Sequence, residues 1–470
     1  VVATLVALKR LMPPLRTPFG GATVWLLLAI TVVLFLTFDR PLVRGDGLAY
    51  FMWLDSIARD HDLELANQVE HFHPFVSYQA FFNQKTQRYV SVFPYGSALL
   101  WAPFYWLAML ADRAPLFHIN DPYFIQYQGI TFPYSFFTML GTNLLALASL
   151  ALTYASARRF VHPLPAAAAS LAIFVGTPLL YYSTIEPYSS HVPGTFAVAL
   201  ILFLYSRYRE RTRTWFLMGV AAGLAVLIRW QLALYALPMM AIPLVRKELG
   251  KAGTFALGFL ALAWHVPYSW QAMFGSPWVV PAAEQTGASF LLGPVFIREV
   301  LFSGEKGLFV WAPVAALALL GLAPLSERDR ALSLAILAFL ILQTLISASV
   351  ADWWAGWGFG MRRMIELAPA LALGLAAFLA PAHPVQDSFW KRLASLRAYR
   401  IGAYTLLVLC IAFSLLLLFS HLNFVYTSTK PEGDTAFREI VYHLYESSPW
   451  ITIQVMKEHF GLWAWSQPGP

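Results

Sequence analysis

Residues 22–50 read ATVWLLLAITVVLFLTFDRPLVRGDGLAY. The apolar run 22–38 is long enough to enter a bilayer, and it gives way to charge at Asp39 and Arg40. Asp46 then stands between Gly45 and Gly47. Glycine lets a backbone turn sharply and approach a ligand closely. A carboxylate at the water edge of a membrane can stay ionised and still reach a lipid-borne molecule. The plainer reading is a juxtamembrane turn with an Asp that caps a helix. On these residues alone the two readings weigh equally.

The rest of the chain settles the class. Of its 470 residues, 59% are hydrophobic and 12% charged, against about 25% charged in an average soluble protein. Apolar runs recur along the whole length, so the chain reads as an all-α polytopic membrane protein. Aromatic residues at 16% suit belts at many membrane interfaces. The net charge of +7 is no nucleic-acid signal, because Lys and Arg sit in short loops between apolar runs. One cysteine, Cys410, excludes an intrachain disulfide.

Charge fixes the expected topology. Lys9, Arg10 and Arg16 precede the first run and place the N-terminus in the cytoplasm. No small-residue cleavage pattern follows Phe38, so the run is read as an anchor. The segment 92–110 is apolar, but Pro94, Gly96 and Pro103 interrupt it. Counting it as a span would put Arg158, Arg159 and the cluster Arg207–Arg213 outside. Reading 39–130 as one large external loop with interfacial pieces puts every basic loop inside. About eleven spans follow, at 22–38, 131–156, 164–182, 194–206, 214–228, 231–245, 253–270, 306–323, 331–350, 364–380 and 402–420. The expected organisation is a transmembrane core over 1–380, a basic cytoplasmic loop with the last helix over 381–422, and a short external tail over 423–470.

The external segments hold the polar groups. Leu48–Asp60 has apolar residues at helical spacing, which suits a helix lying on the membrane or a lid packed over the bundle. His71 and His73 would face opposite sides of a strand and so make a poor metal pair. Lys85 and Arg88 follow. The second loop, Ser183–His191, carries Glu186 and His191 among hydroxyls that can bind a sugar, and an acid at such depth is functional by default. Arg229 interrupts an apolar pair of runs and either snorkels or binds a phosphate. In Ala351–Arg363, Trp353, Trp354 and Trp357 alternate with glycines ahead of Arg362 and Arg363. Rings at an interface and forked guanidinium groups suit a phosphate held beneath a stacked face. An aromatic anchor alone is the plainer reading. Glu284, Arg298, Glu305 and Lys306 in the loop 271–304 and its edge have no assigned role. No Walker loop, GxGxxG, HExxH, CxxC or GxSxG pattern occurs.

Several of these stretches resemble the GT-C superfamily of glycosyltransferases, in particular bacterial family-39-like relatives of protein O-mannosyltransferases and aminoarabinose transferases. Gly45-Asp46-Gly47-Leu48-Ala49-Tyr50 resembles the family's acidic motif after the first span, with Gly47 where relatives have Glu. Thr184-Ile185-Glu186-Pro187, Gly219–Arg229 (GVAAGLAVLIR) and Trp353–Arg363 (WWAGWGFGMRR) resemble other recurrent stretches, and the likeness covers most of 20–380. The resemblance implies an inverting transferase that takes a sugar from a polyprenyl-phosphate carrier at the outer face. It implies Asp46 as base and Glu186 as a second acid or acceptor binder. Arg229, Arg362 and Arg363 would hold the phosphate, with Tyr50, Lys85, Arg88, His191, Trp354 and Trp357 as further substrate contacts. The partners expected are membrane lipids, the polyprenyl-phosphate-linked sugar, and an acceptor protein, lipid or glycan. No cofactor is expected, and a divalent metal is not indicated. The place is a bacterial-type inner membrane with an external C-terminus. Two alternatives are a lipid-linked-sugar flippase or other transporter, and a GT-C-derived structural subunit that docks partner subunits through its external tail.

Overall fold

The computed structural model describes residues 21–43, 45–73, 79–114, 130–279, 281, 291, 293–356, 358–381 and 389–427. Hydrocarbon offers no partners to backbone amides and carbonyls, so a chain this apolar must satisfy them within helices. Four helices among the described residues are long and apolar enough to cross a membrane: Phe132–Ala157, Leu249–Phe274, Arg330–Ala348 and Arg397–Leu422. Shorter apolar helices accompany them, including Ala22–Phe38, Pro163–Gly176 and Thr212–Ile228. Large apolar side chains such as Leu257, Leu260, Trp264, Val408 and Leu409 lie exposed on helix faces that lipid would cover. The chain is a multi-pass, all-α membrane protein. Helix length alone does not set the number of crossings, expected at about eleven.

The bundle has two chemically different ends. At one end, Arg207 donates to the Ala155 carbonyl, Arg209 pairs with Asp329, and Arg328 donates to the Ala380 carbonyl. Lys251 joins them through Glu210, which lies 3.9 Å from Lys251 and 3.3 Å from Arg209. These contacts gather the basic loops that the sequence places on a common side. The other end gathers Asp46, Glu186, Ser190, Arg229 and Arg362, described below. The Arg40 amide donates to the Thr184 carbonyl at 2.9 Å and ties the exit of the first helix to that end.

Helices Thr212–Ile228 and Leu249–Ala263 touch backbone to backbone through glycine. A Cβ on Gly219 would strike the Phe255 carbonyl, and one on Gly258 would strike the Phe216 carbonyl. At Gly223 it would meet the Phe259 carbonyl oxygen at 2.6 Å. Small residues permit such close approach where the hydrophobic effect cannot drive helices together. This is the physical reason for the GVAAG spacing at 219–223. Gly258→Leu is therefore expected to separate the pair and cost about 1–3 kcal/mol, the usual range for overpacking. A lowered unfolding temperature in detergent is the readout, with Gly253→Leu as the control, since a Cβ there meets nothing within 4 Å.

The first loop region is more deeply packed than expected. The helix Asp46–Asp55 is buried at every residue from Gly47 to Asp55, so it is part of the core and does not lie on the membrane surface. Its apolar spacing is filled on all sides by a cluster that includes Trp53, Trp101, Tyr105 and Phe72. His71 closes the helix Ala66–Phe72, and His73 caps it in the left-handed region at φ 47°. The strand expected at His71 and His73 is thus a helix end. A short antiparallel hairpin pairs Phe81 with Val90 and Asn83 with Arg88. The segment 92–110 forms the helix Gly96–Ala111, with Pro103 inside it. Gly96 packs against the backbone of Leu227 and Ile228, while Asp112 just past the other terminus accepts a hydrogen bond from Thr131 at 3.1 Å. Both ends therefore sit at the Asp46 end of the bundle, which supports an interfacial helix over a crossing one. Of the tail, residues 428–470 lie outside the described residues, as do Trp357, Glu284 and the first 20 residues.

Candidate active site

Asp46 owes its position to two glycines. Gly45 takes φ 55°, a left-handed turn that starts the helix with Asp46 as its first residue. The positive end of the helix dipole favours a carboxylate there. Gly47 packs on Tyr188: a Cβ at 47 would lie 3.0 Å from the Tyr188 Cβ. That close contact explains why a glycine follows Asp46 in this chain instead of a glutamate.

Asp46 Oδ2 accepts a hydrogen bond from Arg362 Nη1 at 2.6 Å, across 316 positions of sequence. The two side chains are 19% and 21% exposed, so the pair is reachable from outside. Burial alone would lower the pKa of Arg362. Asp46, Tyr182 and Glu186 together hold it above the ordinary arginine value, so it is a fixed cation. The glycines ahead of Arg362 permit crowding. A Cβ on Gly358 would strike the Tyr182 hydroxyl and sit 3.2 Å from Arg362 Cδ. Lys306, in the turn before the helix Leu308–Trp311, donates to the Gly358 carbonyl. Gly358→Ala is expected to displace both Tyr182 and the Arg362 stem. Misplacement of about 1 Å can cost about 10²-fold in rate, so turnover should fall steeply while the thermal transition moves little.

A second polar layer supports the first. Tyr50 lies one turn after Asp46, and its hydroxyl is 2.7 Å from Ser190 Oγ. Arg229 Nη1 donates to the same Ser190 oxygen at 3.0 Å. Arg229 Nε is 3.2 Å from Glu366 Oε1, and His191 Nδ1 is 2.9 Å from that same oxygen. Glu366 is 1% exposed. Glu186 accepts a hydrogen bond from the Tyr181 hydroxyl at 3.0 Å.

The structure therefore brings together Asp46, Tyr50, Glu186, His191, Arg229 and Arg362, drawn from loops far apart in sequence. It engages Arg229 with Glu366 and Ser190, one layer behind Asp46. Arg363 pairs with Asp352 at 2.9 Å and does not join the Asp46 pair. Trp354 packs edge-on against Trp353, with centroids 6.0 Å apart. Lys85 lies in the hairpin turn beside Gly275. Arg88 lines a separate cavity of ≈ 570 Å³ with His61, Tyr95 and His265. Trp357 lies outside the described residues. Sequence reasoning missed Glu366, Tyr182, Ser190 and the engagement of Lys306. Glu366 carried a readable signal, an acid inside an apolar run. Among the described residues, no three His, Cys, Asp or Glu side chains group to hold a metal ion.

Comparison with known proteins bears on this geometry. Residues 134–270 match the family model of dolichyl-phosphate-mannose-protein mannosyltransferase. The fold resembles ArnT from Cupriavidus metallidurans in the apo state at TM-score 0.51, with 15% identity over 94% of this chain and 78% of that one. It also resembles the Archaeoglobus fulgidus oligosaccharyltransferase, crystallised with zinc and sulfate, at TM-score 0.50 and 14% identity. That likeness covers 96% of this chain and 57% of the oligosaccharyltransferase. The fold is like that of these two solved structures, and the segment 134–270 is similar to the mannosyltransferase family. No curated protein sequence matches it. The matched segment contains Glu186, Ser190, His191 and Arg229, whereas Asp46, Lys306, Arg362 and Glu366 lie outside it.

Proposed function

We propose that the chain is a membrane glycosyltransferase of the GT-C type that moves a sugar from a polyprenyl-phosphate carrier to an acceptor hydroxyl, with inversion, at the end of the bundle that holds Asp46. The observation that carries this reading is the pairing of an accessible carboxylate with a fixed guanidinium at one site. The acceptor oxygen attacks the anomeric carbon as the anomeric carbon–phosphate oxygen bond breaks. Asp46 takes the hydroxyl proton, which needs only reach and the ionised state. The electron pair of the broken bond leaves on the lipid phosphate, and Arg362 offsets its charge. A guanidinium has five N–H donors, so it can keep a hydrogen bond to Asp46 while it binds phosphate oxygens. Glu186, held by Tyr181, and the hydroxyls of Tyr182 and Ser190 are placed to bind sugar or acceptor hydroxyls.

The gathered arginines at the opposite end support an external site by the positive-inside rule. The N-terminus is then cytoplasmic and the C-terminus external. The carrier is already activated, so the reaction needs no nucleotide. The test is sugar transfer by the purified protein in proteoliposomes, with one sugar offered on three carriers. Transfer from the polyprenyl monophosphate carrier, and none from the nucleotide or the polyprenyl diphosphate, is the expected result. Transfer from the nucleotide donor would overturn the proposal.

A further inference from the structure

Lys306 is 5% exposed, yet its ammonium has a sparse set of partners. It donates to the Gly358 carbonyl, and its Nζ lies 5.5 Å from the centre of the Trp311 ring. An ammonium has three donors, and a buried charge is costly unless it is paired. Among the described residues, no carboxylate stands within ion-pair distance of Lys306; Glu305 beside it and Glu186 across the site act on it only from further away. Arg362, a like charge, packs on the same glycine: a Cβ on Gly358 would sit 3.2 Å from Arg362 Cδ. Two cations held side by side, one of them buried with donors to spare, are poised for an anion that enters from outside.

We infer that Lys306 and Arg362 form a two-cation clamp for the phosphate of the lipid carrier, with Lys306 supplying the buried half. This rests on the polyprenyl-phosphate reading above and names a binding residue that the reading did not include. The Gly358 carbonyl fixes the ammonium beside Arg362, and Trp311 walls its far side. Arg362 faces the exposed side and keeps Asp46 in reach of the acceptor.

The experiment titrates undecaprenyl phosphate into the detergent-purified protein, with undecaprenol as the uncharged control. The variants are Lys306→Met, Lys306→Gln, Lys306→Arg and Arg362→Ala. Gln keeps an N–H donor for the Gly358 carbonyl and removes the charge, so it separates a strut from a phosphate ligand. A charge-assisted hydrogen bond is worth enough for about 10-fold or more in affinity. Loss of that size is expected in Met and Gln, with affinity restored by Arg. Gln binding as tightly as wild type would reduce Lys306 to a strut and overturn the inference. If Arg362→Ala weakens binding and no Lys306 variant does, the clamp is wrong while the donor reading stands. If the wild type binds undecaprenyl phosphate no better than undecaprenol, the donor reading falls and the clamp falls with it.

Discussion

Asp46→Asn is expected to reduce sugar transfer by about 10²–10⁴-fold, the usual contribution of a positioned general base. Asn matches the shape of Asp and still accepts a hydrogen bond from Arg362, but it cannot take a proton. The carboxylate sits at the head of its helix, about one-fifth exposed, so its loss leaves no buried cavity. Fold and donor binding should then persist while turnover collapses. The readouts are initial transfer rate, undecaprenyl phosphate affinity and the thermal transition, measured on one preparation. Equal loss of rate and donor affinity would make Asp46 a ligand-organising group and move the search for the base to Glu186.

Glu366→Ala is the second large effect, and it falls on stability. Glu366 is buried and faces both Arg229 and His191 through one oxygen. Removing one partner of a buried pair strands the other charge, which typically costs about 3–5 kcal/mol. Here the stranded charge is Arg229, which holds Ser190 and through it Tyr50, one turn from Asp46. The variant should unfold at a markedly lower temperature in detergent and lose activity in step. Adding Arg229→Gln to Glu366→Ala removes both charges and should recover part of that stability. A double variant no more stable than the single one would show that the two charges do not interact. The Asp46 and Glu366 results thus separate chemistry from support, since the first leaves the thermal transition in place and the second moves it.

Much of the fold was legible because each membrane crossing carries its own signal. Apolar runs gave the helices, and Arg158, Arg209 and Arg328 marked one end. The region 39–130 was harder. Its apolar spacing at Leu48–Asp55 fits either a surface helix or a buried one, and the deciding partners, Trp101 and Tyr105, come from a segment 50 residues on. The candidate site was legible in its residue types and less so in its pairings. Asp46 and Arg362 were both visible, but 316 positions separate them and no local pattern joins them. The partner that the structure gives Arg229, Glu366, was not legible because it lies in an apolar run. Lys306 was visible with no role, because what singles it out is burial without a carboxylate. Gly47 read as a departure from the family pattern, and its contact with Tyr188 gives the reason.

The most direct test of the whole account follows the carrier and the anomeric carbon together. Purified protein in proteoliposomes is given a polyprenyl-phosphate sugar labelled in the sugar, with acceptor on the Asp46 side. A single displacement with Asp46 as base predicts one polyprenyl phosphate released for each sugar transferred, and an inverted anomeric configuration in the product. Retained configuration would contradict it, because a single in-line displacement inverts the anomeric carbon. Movement of the intact lipid-linked sugar across the bilayer, with no phosphate released, would contradict it more deeply and make the chain a transporter.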